Sequence, residues 1–335
     1  MPLTQLEPII AFLQDDLEQV ERLLREGSSS IAPLIPKVGE HTFGSGGKRV
    51  RPVLVLLSAR LCGYRGPRAV QVASAVECLH TATLMHDDVV DGAETRRGRP
   101  SVNALWGQRI AVLAGDFLLA RASQTLIEDG DNEILWIYAN TIREMAEGEV
   151  LQLTRSFDPD LPESVYLDVI GRKTSRLLST STESGAILGG VTRAERMAVR
   201  DYGWQLGLAF QLVDDALDYI GDGDELGKAP LADLAEGKVT MPLIATLKRC
   251  SVAERETLVT ALKSLSGGAV TGAEPDRDSL MQVADCVRRY DGAELTLERA
   301  LQHSREACAK IAPFADCEAK EALYALAEFV VRRKT

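Results

Sequence analysis

Asp87, Asp88 and Asp91 fall within five positions at the end of an apolar, helix-like stretch. Positions four apart share a helix face, so Asp87 and Asp91 point the same way and repel unless a cation lies between them. Their place at a helix C-terminus adds to the cost, because the helix dipole disfavours anions there. Taken alone, the cluster reads equally well as a solvated acidic helix end. Asp214, Asp215 and Asp218 repeat its spacing at the end of a second predicted helix. Two solvated helix ends with one internal spacing are hard to explain. Oxygen-only donors suit a hard cation such as Mg²⁺.

Bases follow the same logic. The net charge is −11, which argues against a general nucleic-acid binder, yet cations cluster in islands: Lys48, Arg49 and Arg51; Arg96, Arg97 and Arg99; Arg172, Lys173 and Arg176. Islands of this kind suggest local anion sites. The first follows Gly44, Gly46 and Gly47 and precedes Pro52, a residue suited to the first turn of a helix. Thr42 and Arg49 stand where a Walker A loop needs Gly and Ser/Thr. Exposed backbone N–H groups beside Lys48 and Arg51 at a helix start still form a phosphate cradle. His80 lies two turns before Asp87 on nearly the same face, within reach of such an anion. Lys173 and Thr174 are the polar candidates on a helix rich in small residues. Gln211 precedes Asp214, and Lys228, Asp233 and Lys238 occupy the loop after it.

The elements that must position these residues are helical throughout. Periodic apolar residues predict helices over 5–26, 52–61, 67–91, 102–128, 132–154, 163–190, 194–220, 242–264, 278–288, 291–312 and 316–332. A Gly-rich loop is expected from Ser266 to Asp276. No stretch alternates with period two, so no sheet is expected. No Pro/Ser-rich linker separates the aspartate clusters, and residues 1–335 read as one all-α domain if both serve one site.

Hydrophobic residues make up 45% of the chain, which predicts a packed globular protein. The six cysteines show neither CxxC nor Cys/His metal spacing, so buried free thiols in a reducing compartment are expected. The N-terminus lacks a signal-peptide pattern, and no apolar run approaches the ~20 residues of a membrane span. A cytoplasmic protein is expected, with at most peripheral membrane contact.

Together these segments resemble the trans-isoprenyl (polyprenyl) diphosphate synthase family. The match runs in order through GGKRVRP, ECLHTATLMHDDVVDGAETRRGRPSVN, AGDFLLARA, EGEVLQL, KT, FQLVDDALD, GK and EGKVTMP. The resemblance implies a bundle of antiparallel helices around a central cavity, usually a homodimer. It implies head-to-tail prenyl transfer from an allylic diphosphate, farnesyl or geranyl, to isopentenyl diphosphate. It also implies about three Mg²⁺ ions per site. Asp87 and Asp91 resemble ligands of two of these ions, and Asp214, supported by Asp218, of the third. Arg96, Lys173, Thr174, Gln211, Lys228 and Lys238 resemble the holders of the allylic diphosphate. Lys48, Arg51, His80 and Arg97 resemble those of isopentenyl diphosphate.

The implied reaction explains the residue types. An allylic diphosphate ionises only when its leaving group is neutralised, a task for cations and charge-assisted hydrogen bonds, and no nucleophile is needed. Asp87, Asp91, Arg96, Lys173 and Asp214 carry that step in this reading. Ala82 and Thr83, ~6–7 Å before the aspartates by helix rise, stand where family members with short products place bulky aromatics. Small residues there point to a long product, hexaprenyl to decaprenyl with octaprenyl central, of the kind that becomes a quinone side tail. The pocket floor is expected near Phe117–Gln124 or Trp136–Met145. Three other readings fit less well: a shorter-chain synthase, a class I terpene cyclase, which has no use for the GGKRVRP cradle, and a non-catalytic partner subunit, which usually loses aspartates.

Overall fold

The computed structural model describes residues 7–44, 47–96, 98–220, 231–271 and 275–332. Its architecture is all-α. The helices are α1 (Glu7–Phe12), α2 (Gln14–Gly27), α3 (Leu34–Phe43), α4 (Val50–Leu61), α5 (Arg68–Val90), α6 (Val102–Trp106), α7 (Gln108–Asp129), α8 (Asn132–Thr154), α9 (Glu163–Ile170), α10 (Arg176–Gly189) and α11 (Arg193–Ile220). They continue as α12 (Ala232–Ala235), α13 (Met241–Leu247), α14 (Val252–Thr271), α15 (Arg277–Arg289), α16 (Gly292–Ile311) and α17 (Glu318–Arg332). Between α9 and α10 the chain makes a π-helical turn, Gly171–Ser175.

The departures from the sequence reading are local. The first expected helix breaks at Leu13, and α3 adds a helix to those expected, with Pro36 tolerated in its first turn. Gly107, at φ +82°, splits the expected 102–128 helix into α6 and α7. The α14 helix runs into the expected Gly-rich loop. Two two-residue strands, β1 (Thr95–Arg96) and β2 (Arg99–Pro100), form a small hairpin where no sheet was expected.

α5 is buried on nearly every side, through Val72, Val76, Leu79, Ala82 and Met85 among others. A helix apolar all round belongs in the middle of a bundle. Truncating such a buried leucine typically costs ~2–5 kcal/mol. One core cluster gathers α2, α4, α5, α7, α10 and α17. A second gathers α9, α13, α14 and α15. α11 belongs to both, with Leu206 and Ala209 in the first and Leu212, Val213 and Leu217 in the second. The aspartate clusters thus stand at the ends of two helices locked into the interior.

α7 differs from the other long helices. It is long and apolar enough to cross a membrane by length and composition, although no such run was read from the sequence; 33% of its most apolar window is buried. Val112, Leu113, Asp116, Ala120, Gln124 and Ile127 form an exposed stripe at helical spacing. Leu113 is 61% and Ile127 62% exposed.

Candidate active site

Lys173 and Thr174 lie in the π-helical turn, and two glycines let its neighbours close on it. A Cβ on Gly148 of α8 would stand 2.8 Å from Arg172 Cβ and 3.2 Å from Lys173 N. A Cβ on Gly207 of α11 would stand 2.4 Å from Ser175 Cα. The turn is thereby clamped between α8 and α11 and faces the end of α5. π-helical turns of this kind are frequent at functional sites.

The result is a cavity of about 230 Å³ lined by both aspartate clusters and their accompanying bases. Asp87, Asp91 and Arg96 enter from the α5 end, Lys173 and Thr174 from the π turn, Gln211 and Asp215 from α11, and Lys238 from the loop before α13. Asp214 is half-buried one position away and is not part of the lining. Asp218 is buried, and its Oδ2 accepts the Asp233 backbone N–H at 3.2 Å. Arg97 and Lys228 lie outside the described residues.

Several lining or supporting residues were given no role of their own from sequence. Asp88, buried beside Asp87, accepts Arg96 Nε at 2.7 Å and Nη2 at 2.6 Å, which folds the β1–β2 hairpin back onto α5. Tyr166 donates to Asp215 Oδ2, Gln211 Nε2 donates to Asp215 Oδ1 at 2.8 Å, and Thr174 Oγ1 donates to Gln211 Oε1 at 2.7 Å. This chain of bonds runs from α9 through α11 to the π turn and fixes the amide of Gln211. Lys173 pairs with Glu149 at 2.5 Å. Adjacency to Asp87 and Asp214 was a signal for Asp88 and Asp215; Tyr166 and Glu149 left none.

The electrostatics are those of crowded carboxylates. Burial pushes Asp87 up to about 6; Glu149 and Asp91 add to the rise, while Lys173 and Arg96 oppose it. Burial and Asp233 push Asp215 up, against the bonds from Tyr166 and Gln211. Burial pulls Lys238 down, but Glu236, Asp91 and Asp233 more than offset it, so its ammonium is held charged. Among the described residues, no group of three or more His, Cys, Asp or Glu side chains forms a metal cage on its own.

A second cavity, about 370 Å³, is lined by Lys48, Arg51 and His80 with Phe210 and Phe329. A smaller space of about 60 Å³, lined by His80, Leu84 and Arg96, lies between the two. Leu84 and Arg96 face the first cavity as well, and His80 the second, so the three spaces adjoin. Arg49 sets the charge of the second cavity. It pairs with buried Glu77 at 3.0 Å and with Glu21, and donates to the Phe43 carbonyl at 3.0 Å. Arg49 thereby offsets the Glu77 carboxylate beside Lys48 and Arg51. Arg49 adopts a left-handed φ of 45°, a strained conformation that these three bonds hold in place. Ala82 is packed into the core at 1% exposure and Thr83 is half-buried; neither lines these cavities, whereas Leu84 does.

Comparison with known proteins places this geometry. A sequence model of the polyprenyl synthetase family matches residues 32–269. The chain is 38% identical over 328 residues to octaprenyl diphosphate synthase of Escherichia coli K12, covering 98% of this chain and 99% of that protein. It is 35% identical over 331 residues to a short chain isoprenyl diphosphate synthase of Methanothermobacter thermautotrophicus, covering 97% and 99%. The solved polyprenyl synthase of Caulobacter crescentus, complexed with calcium and isoprenyl diphosphate, superposes with a TM-score of 0.90 at 39% identity, covering 98% of each chain.

Proposed function

The chain belongs to the polyprenyl synthetase family and is a prenyltransferase, and from that premise we propose that it extends an allylic diphosphate head-to-tail with isopentenyl diphosphate to a long all-trans product. One observation carries this reading. A cavity lined by Asp87, Asp91, Lys173, Thr174, Gln211 and Lys238 adjoins a separate basic cavity lined by Lys48, Arg51 and His80. Two anion sites side by side suit two diphosphate substrates. They leave a single-diphosphate cyclase without a use for the second.

The donor set fits Mg²⁺: oxygen-only carboxylates, with Asp87 pushed up by burial first and by Glu149 and Asp91 after it, and the Lys238 ammonium against Asp91. Asp87, Asp91 and Asp214, supported by Asp218, would hold it. When bound, Mg²⁺ supplies Lewis-acid neutralisation of the leaving diphosphate. Arg96, Lys173 and Lys238 add charge-assisted hydrogen bonds as negative charge builds on that group. Thr174 and Gln211 orient it. Lys48, Arg51 and His80 fix the second diphosphate, so that its double bond faces the allylic carbon, a positioning role.

The full-length likeness to an octaprenyl diphosphate synthase supports a long product, hexaprenyl to decaprenyl with octaprenyl central. Val112, Leu113 and Ile127, exposed along the stripe of α7, support a homodimer, because a second copy would cover them. Incubation with labelled isopentenyl diphosphate, farnesyl diphosphate and Mg²⁺, followed by chain-length separation, tests the reading. Products of 30 to 50 carbons are expected, at about five carbons per condensation. Absence of elongation would sink the synthase reading, and a farnesyl or geranylgeranyl end-product the long-chain one.

A further inference from the structure

We propose that Phe329, on the last helix, is a positioning residue for Lys48 and thereby tunes affinity for isopentenyl diphosphate. This inference rests on the reading of the Lys48, Arg51 and His80 cavity as the site of that diphosphate. Lys48 Nζ lies over the Phe329 ring, 5.3 Å from its centroid, within cation–π range. Both residues line the same cavity. Lys48 is exposed at the end of a glycine loop, and a lysine on a flexible stem loses rotamer entropy when it binds. A ring that already holds the ammonium reduces that loss.

The ring itself is well held. Phe329 is 7% exposed, and α17 is pinned by two buried bonds: Tyr202 OH donates to the Leu323 carbonyl and Ser304 Oγ to the Ala327 carbonyl, each at 2.8 Å. α17 also packs on α4, which carries Arg51 in its first turn. α17, beyond the segment matched by the family model, thus supplies one wall of the basic cavity and an anchor for Lys48. Leu and Met keep the apolar packing but lack a π face; Tyr keeps it.

The test compares wild type, Phe329→Leu, Phe329→Met, Phe329→Tyr, Lys48→Ala and the Lys48→Ala/Phe329→Leu double variant. Steady-state kinetics vary each substrate in turn, and thermal melts verify folding. Phe329→Leu and Phe329→Met are expected to raise the KM for isopentenyl diphosphate about two- to fivefold. The kcat and the KM for farnesyl diphosphate should stay within about twofold, and Phe329→Tyr should match wild type. The double variant should be no worse than Lys48→Ala alone, since the ring acts through the lysine. Equal effects on both substrates, additive effects in the double variant, or a Tyr variant as impaired as Leu would each overturn the proposal. If Leu fails to fold, Met and Tyr decide alone. An unchanged KM in Lys48→Ala would overturn the cavity assignment itself. A raised KM there with none in Phe329→Leu would overturn only the role of Phe329.

Discussion

Lys238 Nζ lies 3.4 Å from Asp91 Oδ2, joining residues 147 positions apart. The contact ties the loop after the second aspartate cluster to the first cluster, so that both face one cavity. In the proposed reaction Lys238 exchanges this carboxylate for the allylic diphosphate. Lys238→Met keeps the stem and removes the charge. The KM for farnesyl diphosphate should rise about tenfold to a hundredfold, the worth of a hydrogen bond to a charged group. The KM for isopentenyl diphosphate should change little. Initial rates with each substrate varied provide the check, and equal changes in the two constants would remove Lys238 from the allylic site.

Tyr166 offers a test of the hydrogen-bond chain behind that site. Phe in its place leaves the ring packed and strips Asp215 Oδ2 of its donor in a buried setting. An unmet buried acceptor costs about 1–3 kcal/mol. Urea denaturation of Tyr166→Phe should show a loss of that order. Gln211, released from a fixed Asp215, should hold the diphosphate less well and raise the KM for farnesyl diphosphate. Unchanged stability and kinetics would mean that the chain has no structural role.

The sequence made the helices and the charged clusters legible because both are local signals. An apolar face repeats every three or four residues, and the Asp87–Asp91 and Asp214–Asp218 spacings lie within single turns. What it hid was non-local. Arg49 meets Glu77 across 28 positions and Tyr166 meets Asp215 across 49. No residue in either pair announces its partner. The π-helical turn at Lys173 was invisible for a related reason. It is set by how closely α8 and α11 approach through Gly148 and Gly207, not by the propensity of GRKTS. Ala82 illustrates the limit of helix arithmetic: the spacing placed it one turn from the aspartates, and packing decided that Leu84 faces the cavities instead.

Asp87 carries a pH signature. An aspartate in the unfolded chain titrates near 3.9, whereas Asp87 in the fold is pushed up to about 6. The folded chain therefore keeps this proton longer, and stability falls as pH rises between those values. Asp87→Asn escapes the loss. In a chelator, the metal-free variant should exceed wild type by about 1–3 kcal/mol at neutral pH. The gain should vanish below about pH 4, where both states of wild type are protonated. Prenyl transfer should collapse in the same variant, since Asn cannot supply the carboxylate. Denaturation curves across pH measure the first effect, and a variant less stable than wild type at neutral pH would contradict the cost of burying the Asp87 carboxylate.

The α7 stripe makes the last prediction. Val112, Leu113 and Ile127 are exposed on one face, and Leu113 is 61% exposed in the protomer. If a second copy covers this face, light scattering should give twice the 36.4 kDa protomer mass. Leu113→Glu adds a charge to the stripe, where burial without a partner is costly. It should shift the mass toward one protomer at low micromolar concentration. Ile31→Glu is the control, because Ile31 is fully exposed and lies off the stripe. A wild-type protein that runs as one protomer would refute the assembly, and a Leu113→Glu variant that stays dimeric would move the interface to another face.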